Sequence, residues 1–244
     1  MMFDKPLVVF DIETIPDPDI GRSVYALGGT DAEVITAMVE KRRIDTSGRT
    51  DYPQSPFHKV ACVCATIVRD SRVEMRSFAG EDERANIEGF YRLVAELGSR
   101  LVSWNGEGFD VPVLRYRAMR RGIQAAGFYD VPHVDVMQEL SSHGSTAHAG
   151  LANVARTLGL PGKSFLEKTV WEHWLAGESG QVIEYCKVDT VLTLLVFATH
   201  AFHVATIDRP ALDSLVASTR AAMSREPFEG WRALEGALID WPRF

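Results

Sequence analysis

Five side chains in three distant segments have the types and spacing to do chemistry. Phe10-Asp11-Ile12-Glu13-Thr14 follows a short apolar run, Leu7–Phe10, that reads as a buried central strand ending at the acids. Side chains two apart on a strand share a face, so Asp11 and Glu13 lie side by side. Two carboxylates held that close repel unless a cation stands between them, and oxygen donors suit a divalent ion. A solvated turn after the strand is the alternative. Asn105-Gly106-Glu107-Gly108-Phe109-Asp110 follows another apolar run and opens a helix. Asp110 falls where a helix N-cap would sit, so cap and metal ligand are both open readings. Phe109 is then core, and Asn105 a turn former beside Gly106. Tyr185 and Asp189, four apart in the longest helical stretch, share a helix face that continues into Leu192 and Val196. A carboxylate on the packed side of a helix is costly unless it is paired or bound to a metal.

These residues need elements to hold them. Residues 59–69 and 72–78 read as two further strands joined by a hairpin turn at Arg69-Asp70-Ser71-Arg72, and Leu101–Trp104 as a fourth. His133 and Asp135 mark a strand end near the site, with structural pairing expected for both. Helical spacing covers 31–41, 83–97 (with Gly98 as stop signal), 110–121, 150–158 and 181–203. The order implies an α/β fold with a mixed sheet containing an antiparallel hairpin. Arg43–His58 is polar and turn-rich and reads as a surface loop. After His203 the composition shifts, and two short helices pack on the same domain as a C-terminal extension. His143 and His148 read as loop residues.

The chain has 244 residues, 46% hydrophobic and 24% charged, with a formal net charge of −7. These proportions suit an ordinary globular protein and exclude a disordered, collagen-like or disulfide-rich chain. No apolar stretch approaches the ~20 residues of a membrane span. Met1–Pro6 has no secretory pattern. Cys62, Cys64 and Cys186 cannot all pair within the chain, and no CxxC is present, so a reducing cytoplasm is expected and a zinc ribbon excluded. Cys62 and Cys64 read as buried strand residues. The acidic balance argues against broad, non-specific nucleic-acid binding but leaves room for an acidic, metal-loaded pocket.

In the order DxE, N-x3-F-D, Y-x3-D, the three segments resemble the DEDD-type 3′–5′ exonucleases. The second and third match the proofreading exonuclease domain of family B DNA polymerases, in a small stand-alone bacterial form. The resemblance covers roughly residues 5–200. It implies a ribonuclease H-like fold with a five-stranded mixed sheet over residues 1–204, and the extension at 205–244. The sister variant places His five residues before the last Asp; here that position is Glu184 and Tyr185 stands four before, so the chain resembles the tyrosine subtype.

By the same resemblance, Asp11, Glu13, Asp110 and Asp189 hold two ions, Mg²⁺ or Mn²⁺. Tyr185 orients the attacking water. Thr14, Ile15, Asn105, Phe109 and Lys163 are substrate-contact candidates. The implied substrate is a single-stranded DNA or RNA 3′ end, DNA before RNA, releasing nucleoside 5′-monophosphates, with a polymerase or repair partner possible in trans. Arg115, Arg117, Arg120 and Arg121 are either phosphate contacts or a solvated face. Two competitors stand. A haloacid dehalogenase-like phosphatase begins with a loosely similar DxDxT, but Glu13 is one carbon too long and a downstream acidic pair is missing. A ribonuclease H-like module that binds nucleic acid without cutting would have no need for all four carboxylates and the tyrosine.

Overall fold

Alternation along two strands divides the molecule into two faces. In the computed structural model, which describes residues 5–162, 168–226 and 229–242, the first strand β1 (Leu7–Pro16) sends Leu7 and Val9 to one side and Val8, Phe10 and Ile12 to the other. β1 is longer than its apolar run. Asp11–Pro16 continue to pair antiparallel with His58–Cys64, so the acids lie within the strand and not at its end. Pairing to a neighbour outweighs the low strand propensity of Asp and Glu.

The chain then forms helices α1 (Pro18–Tyr25) and α2 (Asp31–Asp45), strands β2 (His58–Arg69) and β3 (Arg72–Phe78), helix α3 (Glu83–Leu97) and strand β4 (Arg100–Ser103). Helix α4 (Asp110–Arg121) leads to the short strand β5 (His133–Asp135) and helices α5 (Val136–Leu140), α6 (Leu151–Thr157), α7 (Val170–Leu175) and α8 (Ser179–His203). Helices α9 (Arg209–Arg225) and α10 (Arg232–Ala237) follow. The sheet order is β3-β2-β1-β4-β5. β1 is antiparallel to β2 and parallel to β4, β2 is antiparallel to β3, and β4 is parallel to β5. This is the five-stranded mixed sheet expected. The β2–β3 hairpin turns through Asp70 and Ser71, both at positive φ, as a tight right-twisted hairpin requires.

One face packs on α3 and α4, the other on α8. Cys62 and Cys64 of β2 are fully buried on the α8 side, as are Thr66 and Val68; the Thr66 hydroxyl meets that of Thr190 at 2.7 Å. On the opposite side a buried cation fixes the helices. The Arg117 guanidinium, 0% exposed, bonds both Glu83 oxygens (2.7 and 2.6 Å) and Asp17 Oδ2 (2.6 Å). Asp17 also caps α1, and Glu83 also accepts the Val60 N–H at 2.8 Å. Arg117 therefore ties α4 to α3, to β2 and to the end of β1. It is a structural residue, not a phosphate contact. Arg121 joins Glu83 at 2.9 Å, and Arg115 lies over the Tyr129 ring.

Residues after His203 share the core of the α8 face. Trp231, Leu234, Leu238 and Trp241 are buried with the α8 side chains. α9 covers the edge strand β3: Val73 N–H donates to Ser218 Oγ (2.9 Å), and Arg225 donates to the Val73 carbonyl (2.9 Å). Covering an edge in this way removes a row of unpaired backbone groups. Among the described residues, no helix is long and apolar enough to cross a membrane.

Candidate active site

The acidic centre forms where α8 crosses β1 and β2. Asp11 and Glu13 project from β1 toward α8, and Asp189, 7% exposed, comes down from the helix to meet them. One oxygen from each of the three carboxylates lies within 4.8 Å of the other two. The β1–β2 register slips between Glu13 and Thr14. Such bulges re-aim side chains beside functional sites.

Asp110 supplies the fourth carboxylate from the other side of the cleft. It is the first residue of α4, not its cap; Phe109 holds the cap position and makes no side-chain capping bond. The Asp110 carboxylate reaches across to β1 instead, where Oδ1 accepts the Ile12 N–H at 3.1 Å. That bond fixes Asp110 between Asp11 and Glu13 along the strand. Burial raises its pKa from the usual 3.8 to about 7, aided by the negative charges of Asp135 and Asp189.

The loop that delivers Asp110 is shaped by Asp135. Its carboxylate accepts the N–H groups of Asn105 (2.9 Å) and Glu107 (3.0 Å) while capping α5 through Met137 N (3.1 Å). Asn105 takes a left-handed φ of 61°, a conformation that Asn tolerates better than most residues. Gly106 follows it because a Cβ there would collide with the Ser103 side chain. His133 Nε2 pairs with Ser103 Oγ at 2.8 Å. His133 and Asp135 thus have the structural pairing expected of them.

Asp11, Glu13, Asp110 and Asp189 line one open cleft with Asn105, Phe109, Trp104 and Tyr52. Tyr52 belongs to the segment read as a plain surface loop. α2 takes up the start of that segment, and the rest folds back over the site. Tyr52 is 50% exposed, and its ring packs against Phe109 (centroids 5.3 Å) and His58 (4.7 Å). Its hydroxyl is 3.2 Å from Thr14 Oγ1, which also meets His58 Nδ1 at 2.9 Å. Enclosure of the hydroxyl end raises the Tyr52 pKa, assisted by Glu13, Asp110 and Asp11. Burial lowers that of His58. Neither residue has a sequence signal of its own; their position depends on the long-range return of the loop.

The remaining candidates are placed as follows. Thr14 is buried under Tyr52 and positions it. Ile15 is 3% exposed, with its side chain in the core beside Cys62 and Cys186. Tyr185 is half-buried, one turn before Asp189 on α8, and is not among the side chains lining the cleft. His143 and His148 are exposed loop residues. Lys163 lies outside the described residues.

Among the described cleft-lining residues none is Lys, Arg or His. The four carboxylates that converge on this cleft are a hard-oxygen donor set, which fits divalent cations.

Fold and cleft together define a ribonuclease H-like α/β protein with an acidic centre. A family described as predicted 3′–5′ exonucleases related to the exonuclease domain of PolB matches residues 50–133 and 128–235, and the chain belongs to it. Among solved structures, the family B DNA polymerase of the archaeon Pyrobaculum calidifontis is similar over 96% of this chain and 27% of its own, at 16% identity and TM-score 0.54. E. coli exonuclease I in complex with an oligonucleotide is similar over 91% of this chain and 45% of its own, at 14% identity and a lower TM-score of 0.40. The chain therefore spans about a quarter of the polymerase and less than half of exonuclease I. No curated protein matches the sequence.

Proposed function

We propose that the protein is a DEDD-type 3′–5′ exonuclease of the tyrosine subtype, acting on single-stranded nucleic acid, DNA in preference to RNA, and releasing nucleoside 5′-monophosphates. The observation that carries this reading is the convergence of Asp11, Glu13 and Asp189 oxygens within 4.8 Å, with Asp110 anchored to Ile12 in the same cleft. Membership of the exonuclease family supports the reaction class, and the relation to a DNA polymerase domain supports DNA.

Asp11, Glu13, Asp110 and Asp189 would hold two divalent ions, Mg²⁺ or Mn²⁺. When bound, the ions supply an activated water at neutral pH and offset charge on the phosphodiester. The four carboxylates fix where those cations, and so the scissile phosphate, can sit. Tyr185 acts by hydrogen-bond orientation of the attacking water, not as a base. Asn105, Phe109 and Tyr52 line the space for the terminal nucleotide, with the aromatic rings offering stacking faces. Thr14 acts through Tyr52, and Ile15 through the core beneath β1. We place Lys163 as a further substrate contact. We read residues 1–204 as the exonuclease domain with 205–244 packed on it, in a cytoplasmic protein, free to serve a polymerase or repair partner in trans.

The test is degradation of single-stranded and 3′-tailed DNA and RNA with Mg²⁺, Mn²⁺ or EDTA. Stepwise shortening from the 3′ end, abolished by EDTA and by Asp110→Ala, is expected. No cleavage of either polymer by folded protein with either metal would replace this reading with that of a silent binding module.

A further inference from the structure

Register places more than carboxylates beneath α8. Cys64 pairs across the strands with Asp11, and Cys62 with Glu13. Directly opposite residues project to the same side, so two thiols lie beside the two acids on the face that α8 covers. Cys186 comes from α8 itself. The three sulfurs, all 0% exposed, lie within 4.8 Å of one another. The Cys186 S–H reaches the Asp11 carbonyl at 3.4 Å and Asp11 Oδ2 at 3.5 Å. Cys64 Sγ lies 3.5 Å from Ser77 Oγ and 3.6 Å from the Ile183 carbonyl. Ile15, Ala61 and Val182 close the site.

One buried cysteine is an ordinary small apolar residue. Three that converge from a strand and a helix, with a carboxylate oxygen in reach, are a donor set of a different kind. We propose that Cys62, Cys64 and Cys186, with Asp11 Oδ2 as fourth donor, form a binding site for a thiophilic d¹⁰ cation of the zinc type. Tetrahedral coordination with Zn–S bonds of ~2.3 Å needs sulfurs roughly 3.8 Å apart. The thiols must therefore draw together by at most about 1 Å, a movement within reach of small side-chain rotations. Soft sulfur donors discriminate against Mg²⁺ and Mn²⁺, so this site and the oxygen site select different ions. Each thiol that becomes a thiolate ligand releases one proton to solvent. Occupancy also draws Asp11 away from the cleft. On the nuclease reading above, on which this consequence alone rests, a bound thiophilic ion inhibits cleavage even in excess Mg²⁺.

The experiment titrates the reduced, metal-free full chain with Co²⁺ in excess Mg²⁺, then displaces it with Zn²⁺. Sulfur-to-cobalt charge-transfer absorption is the readout. The proposal expects one equivalent per chain with that absorption, its loss on stoichiometric Zn²⁺ addition, and its absence in Cys62→Ala and Cys186→Ala. It expects the absorption to remain in Asp110→Asn, which alters only the oxygen site. Alkylation of the wild-type chain, followed long enough for the buried thiols to label through local opening, gives a second reading that needs no variant to fold: Zn²⁺ should slow the labelling of all three thiols. Folded wild type without charge-transfer absorption or thiol protection overturns the proposal. Absorption that survives the cysteine substitutions, or disappears in Asp110→Asn instead, overturns it too. None of these outcomes depends on cleavage, so the thiol site and the nuclease reading can fail separately.

Discussion

Asp110→Asn should cost the protein its site and make its metal-free fold more stable. Asp110 is 4% exposed, and its pKa has risen from 3.8 to about 7 because burial and the charges of Asp135 and Asp189 disfavour the anion. The folded state therefore holds this proton more tightly than the unfolded chain. Stability falls as pH rises from about 4 through 7 and levels off above, a total of about 4 kcal/mol at ~1.36 kcal/mol per pH unit. Between pH 5 and pH 8 the loss is about 3 kcal/mol by the same relation. Asparagine keeps an oxygen for the Ile12 N–H and cannot ionise, so the variant escapes this loss. At 2–4 °C per kcal/mol for a domain of this size, the melting temperature of Asp110→Asn should gain roughly 5–10 °C on wild type between pH 5 and pH 8. The assay is thermal unfolding of both proteins in EDTA across that range, with the difference between them as readout. Parallel pH profiles would refute the claim that Asp110 is buried among like charges.

Three further outcomes are expected. Arg117→Leu strands Asp17 and Glu83 in the interior and should destabilise the fold by roughly 3–5 kcal/mol, measured by denaturant unfolding; a change below 1 kcal/mol would mean the buried pair is not as described. Tyr52→Ala removes an aromatic wall of the cleft and should raise KM for single-stranded DNA by roughly 5- to 150-fold, as loss of ~1–3 kcal/mol of stacking implies, with kcat changing less. An unchanged KM would assign Tyr52 to the loop alone. Asp135→Ala removes the acceptor for Asn105, Glu107 and Met137 amides. Hydrogen exchange at 105–107 should accelerate at least tenfold while α8 stays protected, and uniform acceleration would show a global effect instead.

Much of the architecture was legible because local pattern and tertiary packing agree. The spans of β3, α3 and α4 follow from periodicity, with Gly98 as the end signal of α3, and α8 begins two residues before its expected start. Where local and long-range terms conflict, sequence reading stops short. Asp11 and Glu13 look like a strand end, yet antiparallel pairing carries β1 on to Pro16. Asp110 resembles a cap because its neighbours do not reveal that Ile12 offers an amide across the cleft. Arg117 falls in a run of arginines that reads as phosphate contacts or a solvated face, and only the distant Asp17 and Glu83 make it interior. Tyr52 and the three-thiol cluster depend on a loop return and on strand register, neither of which leaves a periodic trace.

The most direct test of the central claim uses a 5′-labelled single-stranded DNA whose 3′ end is either free or chemically capped, with Mg²⁺ and either wild type or Asp189→Asn. The account predicts a ladder that shortens from the free 3′ end, no products from the capped strand, and no products from the variant. Internal cutting of the capped strand, or full activity in Asp189→Asn, would contradict it.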